Sequence, residues 1–151
     1  MKTNILFSII IPTYNRESQI LVGITTILKQ SYQNFEIIIV DDGSTDNTEK
    51  IIGGIADSRI KYFRKINGER GAARNAGIEI ATGEYITFLD SDDILYENHF
   101  ETASTVITQN EGIAWFHLKY EIGHKCKKTT PTYPKNETQN EASLFLGNYL
   151  S

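Results

Sequence analysis

The chain has 151 residues, enough for one globular domain with a core of its own. A formal charge of −4 excludes a protein held on nucleic acid by bulk electrostatics, and the apolar and charged fractions are those of an ordinary soluble domain. The single cysteine, Cys126, excludes an internal disulfide; flanked by Lys125, Lys127 and Lys128, without a nearby His or zinc-site spacing, it fits a reducing, cytoplasmic setting.

The run Ile5 to Ile11, interrupted by Ser8 and closed by Pro12, is too short to span a membrane and lacks a signal-peptide cleavage site. Continuous and β-branched, it predicts a strand covered on both faces. Ile20, Ile24, Ile27 and Leu28 then recur at helical spacing. Phe35 to Val40 predicts a second buried strand. Asp46-Asn47-Thr48-Glu49 reads as a capping box opening a short helix that carries Ile51, Ile52 and Ile55. Ile60 to Ile66, mixed with Lys61, Arg64 and Lys65, predicts a weaker strand nearer an edge.

Gly71 to Ala81 is rich in alanine and suits a helix packed closely on a sheet, ended by Gly83. Glu84 to Leu89 predicts the fourth strand. Tyr96, Phe100, Ala103 and Ile107 mark another helix, and Ile113 to Tyr120 a further strand. Residues 121–141 turn polar, with Pro131 and Pro134, and read as a loop or hairpin region. Asn136-Glu137-Thr138 matches the N-glycosylation pattern, which is idle in a cytoplasmic protein. Ala142 to Leu150 begins an apolar-patterned helix that runs into Ser151. The expectation is one α/β domain over 1–151, a mostly parallel sheet flanked by helices, truncated at its C-terminal side. Such truncation exposes apolar surface and invites self-association.

Ligands of open α/β sheets sit beyond the carboxyl ends of the strands. The first strand is followed by Pro12-Thr13-Tyr14-Asn15-Arg16, the second by Asp41-Asp42-Gly43-Ser44 and the fourth by Asp90-Ser91-Asp92-Asp93. With strand order 3-2-1-4 these loops are neighbours and gather at least four carboxylates. Two unit charges about 5 Å apart at an effective dielectric of about 20 repel by roughly 3 kcal/mol, so the cluster calls for a cation, donors or protons. Hard oxygens without His or Cys point to Mg²⁺ or Mn²⁺, ions that share their coordination with substrate phosphates. Taken singly, Asp46 and Asp93 read as turn or helix-start residues, Tyr14 as a packing residue and Asp90-Ser91-Asp92 as a common Asp-x-Asp run. Their conjunction at three adjacent strand ends carries the signal.

Four segments have a further meaning together: Ser8-Ile-Ile-Ile-Pro-Thr-Tyr-Asn-Arg16, Val40-Asp-Asp-Gly-Ser-Thr-Asp46, Gly71-Ala-Ala-Arg-Asn-Ala-Gly77 and Gly83-Glu-Tyr-Ile-Thr-Phe-Leu-Asp-Ser-Asp-Asp93. In order and spacing they resemble the family 2 glycosyltransferases. The resemblance implies the Rossmann-like GT-A fold and an inverting transferase that uses a nucleotide-sugar, often a UDP-sugar, with a divalent metal, Mn²⁺ or Mg²⁺. It implies that Pro12, Thr13 and Tyr14 hold the base, with Tyr14 against its face, and that Asp42 accepts a hydrogen bond from uracil while Asp41 supports the loop. It places Asp90 near the ribose, Ser91 among the nucleotide-binding residues, Asp92 on the metal bridging the diphosphate, and Arg74, on the first turn of its helix, either at the nucleotide or in a surface ion pair.

The acceptor implied is a glycan or lipid-linked glycan, with a place at the inner face of the cell membrane. The family's general base lies well after the metal motif; Glu121, Glu137 and Glu141 are acids without its context, so the catalytic residue is unknown and the acceptor half is expected to be missing. A donor-binding fragment without transfer activity is therefore one alternative. A Mg²⁺-binding receiver-like signalling domain is another, but it leaves the Pro12–Asn15 loop and Asp90-Ser91-Asp92 without a role. A dinucleotide-binding domain fails because no G-x-G-x-x-G follows the first strand.

Overall fold

A computed structural model describes residues 4–110, 112–114, 116 and 118, and the backbone of 122–124 and 127–129. The chain forms two compact units, residues 1–104 and 105–151. The first runs β1 (Phe7–Thr13), α1 (Ile20–Leu28), β2 (Phe35–Asp41), α2 (Thr48–Gly53), β3 (Ile60–Arg64), α3 (Glu69–Ile80), β4 (Tyr85–Phe88) and the start of α4 (His99–Gln109). The second contains β5 (Ile122–His124) and β6 (Lys127–Thr129), an antiparallel pair within the region expected to be loop or hairpin.

The four strands of the first unit form one parallel sheet in the order β3-β2-β1-β4. This is the order expected from the sequence, and it places the ends of β1, β2 and β4 side by side. Continuous apolar runs make β1 and β2 the centre: both are buried at every position. The more polar β3 is the half-exposed edge its lysines and arginine predict. In β4, Ile86 and Phe88 are both exposed on an edge.

Side chains alternate between faces along a strand, so Ile10, Ile38 and Val40 point one way and Ile9, Ile11, Ile37 and Ile39 the other. The first set packs against Ala73 of α3, with Ala76 beside it. Small residues let this helix come close: a Cβ at Gly77 would collide with Cγ2 of Ile10. The second set is buried equally deeply.

At the amino-terminal end of the sheet, Glu36 is tied on every side. One carboxylate oxygen accepts from Ser8 Oγ at 2.5 Å and from the Thr82 N–H and hydroxyl at 2.6 and 2.9 Å; the other accepts from Lys61 Nζ at 2.6 Å. Burial pushes this carboxyl up, but the bonds from Lys61, Ser8 and Thr82 outweigh burial and hold it at about 2.

Several local expectations differ from the structure. The capping box does not close: Asn47 stands at the N-cap without a side-chain capping bond and donates to Glu17 instead, at 2.8 Å, while Glu49 reaches Arg64 at 2.8 Å. Asp46 instead accepts from the Thr48 N–H and hydroxyl at 3.0 and 2.5 Å and from the Glu17 N–H at 3.1 Å, which ties two loops together. Helix α3 begins at Glu69, two residues before Gly71, so Arg74 lies on its second turn rather than its first.

Neither Tyr96 nor Asp93 belongs to α4. The buried Gln30 donates to the Tyr96 carbonyl at 2.7 Å and accepts from the Phe100 N–H at 3.2 Å, which fixes the helix start beyond Tyr96. Of the strand expected over 113–120, residues 113, 114, 116 and 118 lie in no strand, and the others fall outside the described residues. Cys126, Glu121, Glu137, Glu141 and the helix expected over 142–150 lie outside the described residues. No helix among the described residues is long and apolar enough to cross a membrane.

Candidate functional site

Three loops are bound into one frame at the carboxyl end of the sheet. The Asp42 N–H donates to the Thr13 carbonyl at 2.9 Å, extending the β1–β2 ladder by one step. Asn15 then takes the left-handed conformation (φ 51°), which Asn tolerates better than most residues. This turns its N–H onto Ser44 Oγ at 2.9 Å and its Oδ1 onto the Thr45 N–H at 2.8 Å. Gly43, at φ +83°, lets the β2 loop approach the β3–α3 loop: a Cβ there would lie 3.2 Å from Asn67 N and 3.3 Å from the Lys65 carbonyl.

Within this frame Pro12 and Thr13 are buried, whereas Tyr14 is 47 % exposed and so is not a packing residue. Thr13 Oγ1 is buried without a hydrogen-bond partner among the described residues. Such an orphan hydroxyl is uncommon in an interior.

The two aspartates after β2 have different employment. Asp41 is wholly buried; one oxygen accepts from the Ser44 N–H at 2.7 Å and the other from Tyr62 Oη at 2.6 Å. Burial, then this bond and the Asp41 charge, push the Tyr62 phenol up, so it stays a neutral donor. Asp42 is also buried, yet only Oδ1 is used: it accepts from Lys65 Nζ at 2.6 Å and from the Gly68 N–H at 2.9 Å. Its Oδ2 accepts no hydrogen bond among the described residues.

The β4 loop meets the same edge. The Leu89 N–H donates to the Ile10 carbonyl at 3.0 Å, carrying the chain past β4 to Asp90. Asp90 accepts from Arg74 at 2.7 Å and, more weakly, from Arg70 at 3.4 Å. The Arg74 guanidinium also lies 5.7 Å from the Phe88 ring centroid. Ser91 is buried and Asp92 exposed; Asp92 makes no ion pair among the described residues. Partial burial, with Asp90 and then Asp92 nearby, pushes Asp93 up. A side chain at Gly23 would press on the Asp93 carbonyl, at 3.1 Å, so α1 backs this loop closely.

The structure therefore brings Pro12, Thr13, Tyr14, Asp41, Asp42, Arg74, Asp90, Ser91 and Asp92 to one sheet end. Of the three ways to settle crowded carboxylates, a cation, donors or protons, donors are in place at three of them. Each of Asp41, Asp42 and Asp90 has protein donors of its own, and no group of three acids, His or Cys among the described residues is placed to hold a metal. Three residues that matter escaped the sequence: Tyr62, Lys65 and Gly68. The basic residues of β3 signal an edge strand equally well, and only the fold places one of them against Asp42.

The family model described as Glycosyl transferase family 2 matches residues 8–145. An uncharacterised glycosyltransferase of Rickettsia conorii, RC0461, is 43% identical over 142 residues, which cover 93% of this chain and 22% of the relative. The Escherichia coli UDP-Glc:alpha-D-GlcNAc-diphosphoundecaprenol beta-1,3-glucosyltransferase WfgD is 41% identical over 118 residues, 78% of this chain and 46% of that protein. The crystal structure of S. aureus TarS 1-349 in complex with UDP-GlcNAc superposes with a TM-score of 0.66 at 29% identity, over 76% of this chain and 38% of that one. The chain spans less than half the length of each.

Proposed function

The chain belongs to glycosyl transferase family 2, and from that membership we propose that its strand-end crevice takes the nucleotide of a UDP-sugar for transfer, with inversion, to a glycan or lipid-linked acceptor. The observation that carries the reading is the unequal use of two neighbouring buried carboxylates. Asp41 is spent on Ser44 and Tyr62, so its part is to brace the loop. Asp42 keeps one oxygen open among the described residues, and the adjacent strand leads into the exposed Tyr14.

A uracil lying against Tyr14 presents an imide N–H that a lone carboxylate oxygen accepts well. Pro12 and Thr13 set the floor. Asp90, held by Arg74 and Arg70, has a partly exposed carboxylate suited to ribose hydroxyls, with Ser91 behind it. Arg74 thus reaches the nucleotide through its ion pair with Asp90.

The names of two relatives agree with this reading: WfgD is called a UDP-glucose enzyme with a diphosphoundecaprenol-linked acceptor, and TarS was solved with UDP-GlcNAc. The donor set fits a hard divalent ion as well. Asp92, exposed and without an ion pair among the described residues, would hold Mn²⁺ or Mg²⁺, ions that share their coordination with waters and substrate phosphates. When bound, the ion stabilises charge growing on the departing diphosphate. Arg70 and Arg74 add fixed positive charge near the same strand end.

The test is calorimetric titration and thermal melting of the chain with UDP, CDP and GDP, with and without Mn²⁺. UDP should bind most tightly and raise the melting temperature with the logarithm of its concentration above Kd. Equal binding of the three nucleotides, or no shift at millimolar UDP, defeats the proposal.

A further inference from the structure

Asp42 is a selective acceptor only if one defined oxygen faces the base, and its own short side chain does not decide which. The β3–α3 loop does. Lys65 Nζ and the Gly68 N–H both bond Oδ1, at 2.6 and 2.9 Å, while Asn67 Nδ2 holds the Asp42 main-chain carbonyl at 3.0 Å. Lys65 is itself fixed, donating to the Ile66 carbonyl at 2.6 Å, and its side chain is only 19% exposed. Gly68 makes room for it, since a Cβ at that position would lie 2.8 Å from Lys65 Nζ.

We propose that Lys65 is a specificity-determining positioning residue: by occupying Oδ1 of Asp42 it leaves Oδ2 as the single acceptor for the donor's base, so it selects a nucleobase that presents one N–H there. The inference deepens the reading of Asp42 given above and rests on it. Without Lys65 only the Gly68 N–H is left on Oδ1, and the carboxylate is freer to rotate about its terminal torsion, which has broad, roughly two-fold wells. Either oxygen, or a water between, then meets the base. The ribose and diphosphate contacts made by Asp90, Arg74 and Asp92 come from other elements and stay as they are. Loss of Lys65 should therefore blunt discrimination between bases more than it weakens binding of the nucleotide as a whole.

The experiment compares UDP with N3-methyl-UDP, which lacks the imide N–H but keeps ribose and diphosphate. Both are titrated calorimetrically into the 151-residue chain with excess Mg²⁺, for the wild type, Lys65→Met and Lys65→Arg. The wild type should prefer UDP by about ten- to a hundredfold, the scale of one hydrogen bond to a charged group. In Lys65→Met that preference should fall to within about threefold, and Lys65→Arg should restore most of it. A purely structural role moves both ligands together and leaves their ratio intact, which overturns the inference.

If Lys65→Met does not fold, Gly68→Ala takes its place. It displaces the ammonium while keeping the charge, and it should lower the same ratio; an unchanged ratio there also overturns the inference. A wild type that does not distinguish the two ligands defeats the underlying assignment of Asp42. Discrimination in the wild type that survives in every variant defeats the role of Lys65 alone.

Discussion

Strands β2 and β3 carry the same pair twice, an acid on β2 or just beyond it with a lysine from β3 or its end, and the two copies do opposite things. At the amino-terminal end Glu36 meets Lys61; at the carboxyl end Asp42 meets Lys65. Both carboxylates are buried, and both lysines approach to 2.6 Å. Glu36 is closed: Ser8, Thr82 and Lys61 use both of its oxygens. Asp42 is left open on one side. A buried charge with every lone pair answered holds elements together, whereas one with an acceptor to spare is a receptor waiting for a donor. The parallel sheet explains the division, because the loops that leave the strands all gather at the carboxyl end, where open α/β sheets take their ligands.

The widest expected effect concerns the closed end. Glu36 sits at about 2 in the folded chain against an ordinary 4.5. Its folded value is depressed, so its contribution is fully present above about 4.5 and is lost as pH falls toward 2. A gap of that size corresponds to on the order of 3 kcal/mol. Glu36→Gln should destabilise the chain at neutral pH and flatten the acid limb of its melting curve between those two values. UDP affinity at neutral pH should stay as in the wild type, because the substitution is at the far end of the strand. Parallel melting curves for the two proteins, or a large loss of UDP affinity in the variant, would dissolve the contrast between the ends.

The sheet on which this division rests was legible in the sequence. Runs rich in isoleucine at Ile5–Ile11 and Phe35–Val40, broken only by Ser8 and Glu36, read as two-face-buried strands, and their alternation with helical spacing gives a parallel sheet. The loops that follow them then had to share an edge. What could not be read were decisions made by tertiary partners. Asp46 left its capping box because Glu17 and Thr48 offered better bonds across two loops. Tyr96 was held out of α4 by Gln30, which lies 66 residues away in sequence. The pairing of Lys65 with Asp42 spans 23 residues, and the same lysine read along the chain signals nothing more than a solvated edge.

A smaller effect probes the open end directly. Tyr14 is 47 % exposed, so removing its ring should cost the fold little. Base stacking on an aromatic ring contributes about 1–3 kcal/mol for single-stranded bases, which scales here to a roughly five- to hundredfold loss of UDP affinity in Tyr14→Ala. Tyr14→Phe should keep most of the affinity. Stability unchanged with affinity reduced sharpens the contrast with Glu36→Gln, where stability falls and affinity holds. If Tyr14→Ala lowers the melting temperature and leaves UDP binding alone, the ring belongs to the fold after all.

The least effect expected is a gain, and it comes from backbone strain confined to the open end. Glu69 opens α3 at φ +70°, one residue after the Gly68 N–H that bonds Asp42. Unlike Asn15, which is suited to such a conformation, glutamate is held there against about 1–2 kcal/mol of steric cost from its Cβ. Glu69→Gly removes that cost but frees the unfolded chain by about 0.5–1 kcal/mol, leaving a net stabilisation centred on about 1 kcal/mol and at most about 1.5 kcal/mol. For a domain of this size that is a rise in melting temperature of roughly 2–4 °C. Glu69→Ala keeps a Cβ in the same conformation and should bring no such rise, which separates the backbone effect from loss of the exposed charge. The more telling measurement is the UDP to N3-methyl-UDP ratio in Glu69→Gly. If the strain is what presses Gly68 onto Asp42, the stabler protein should be the less discriminating one; a variant that gains stability with its ratio intact makes the strain incidental to recognition.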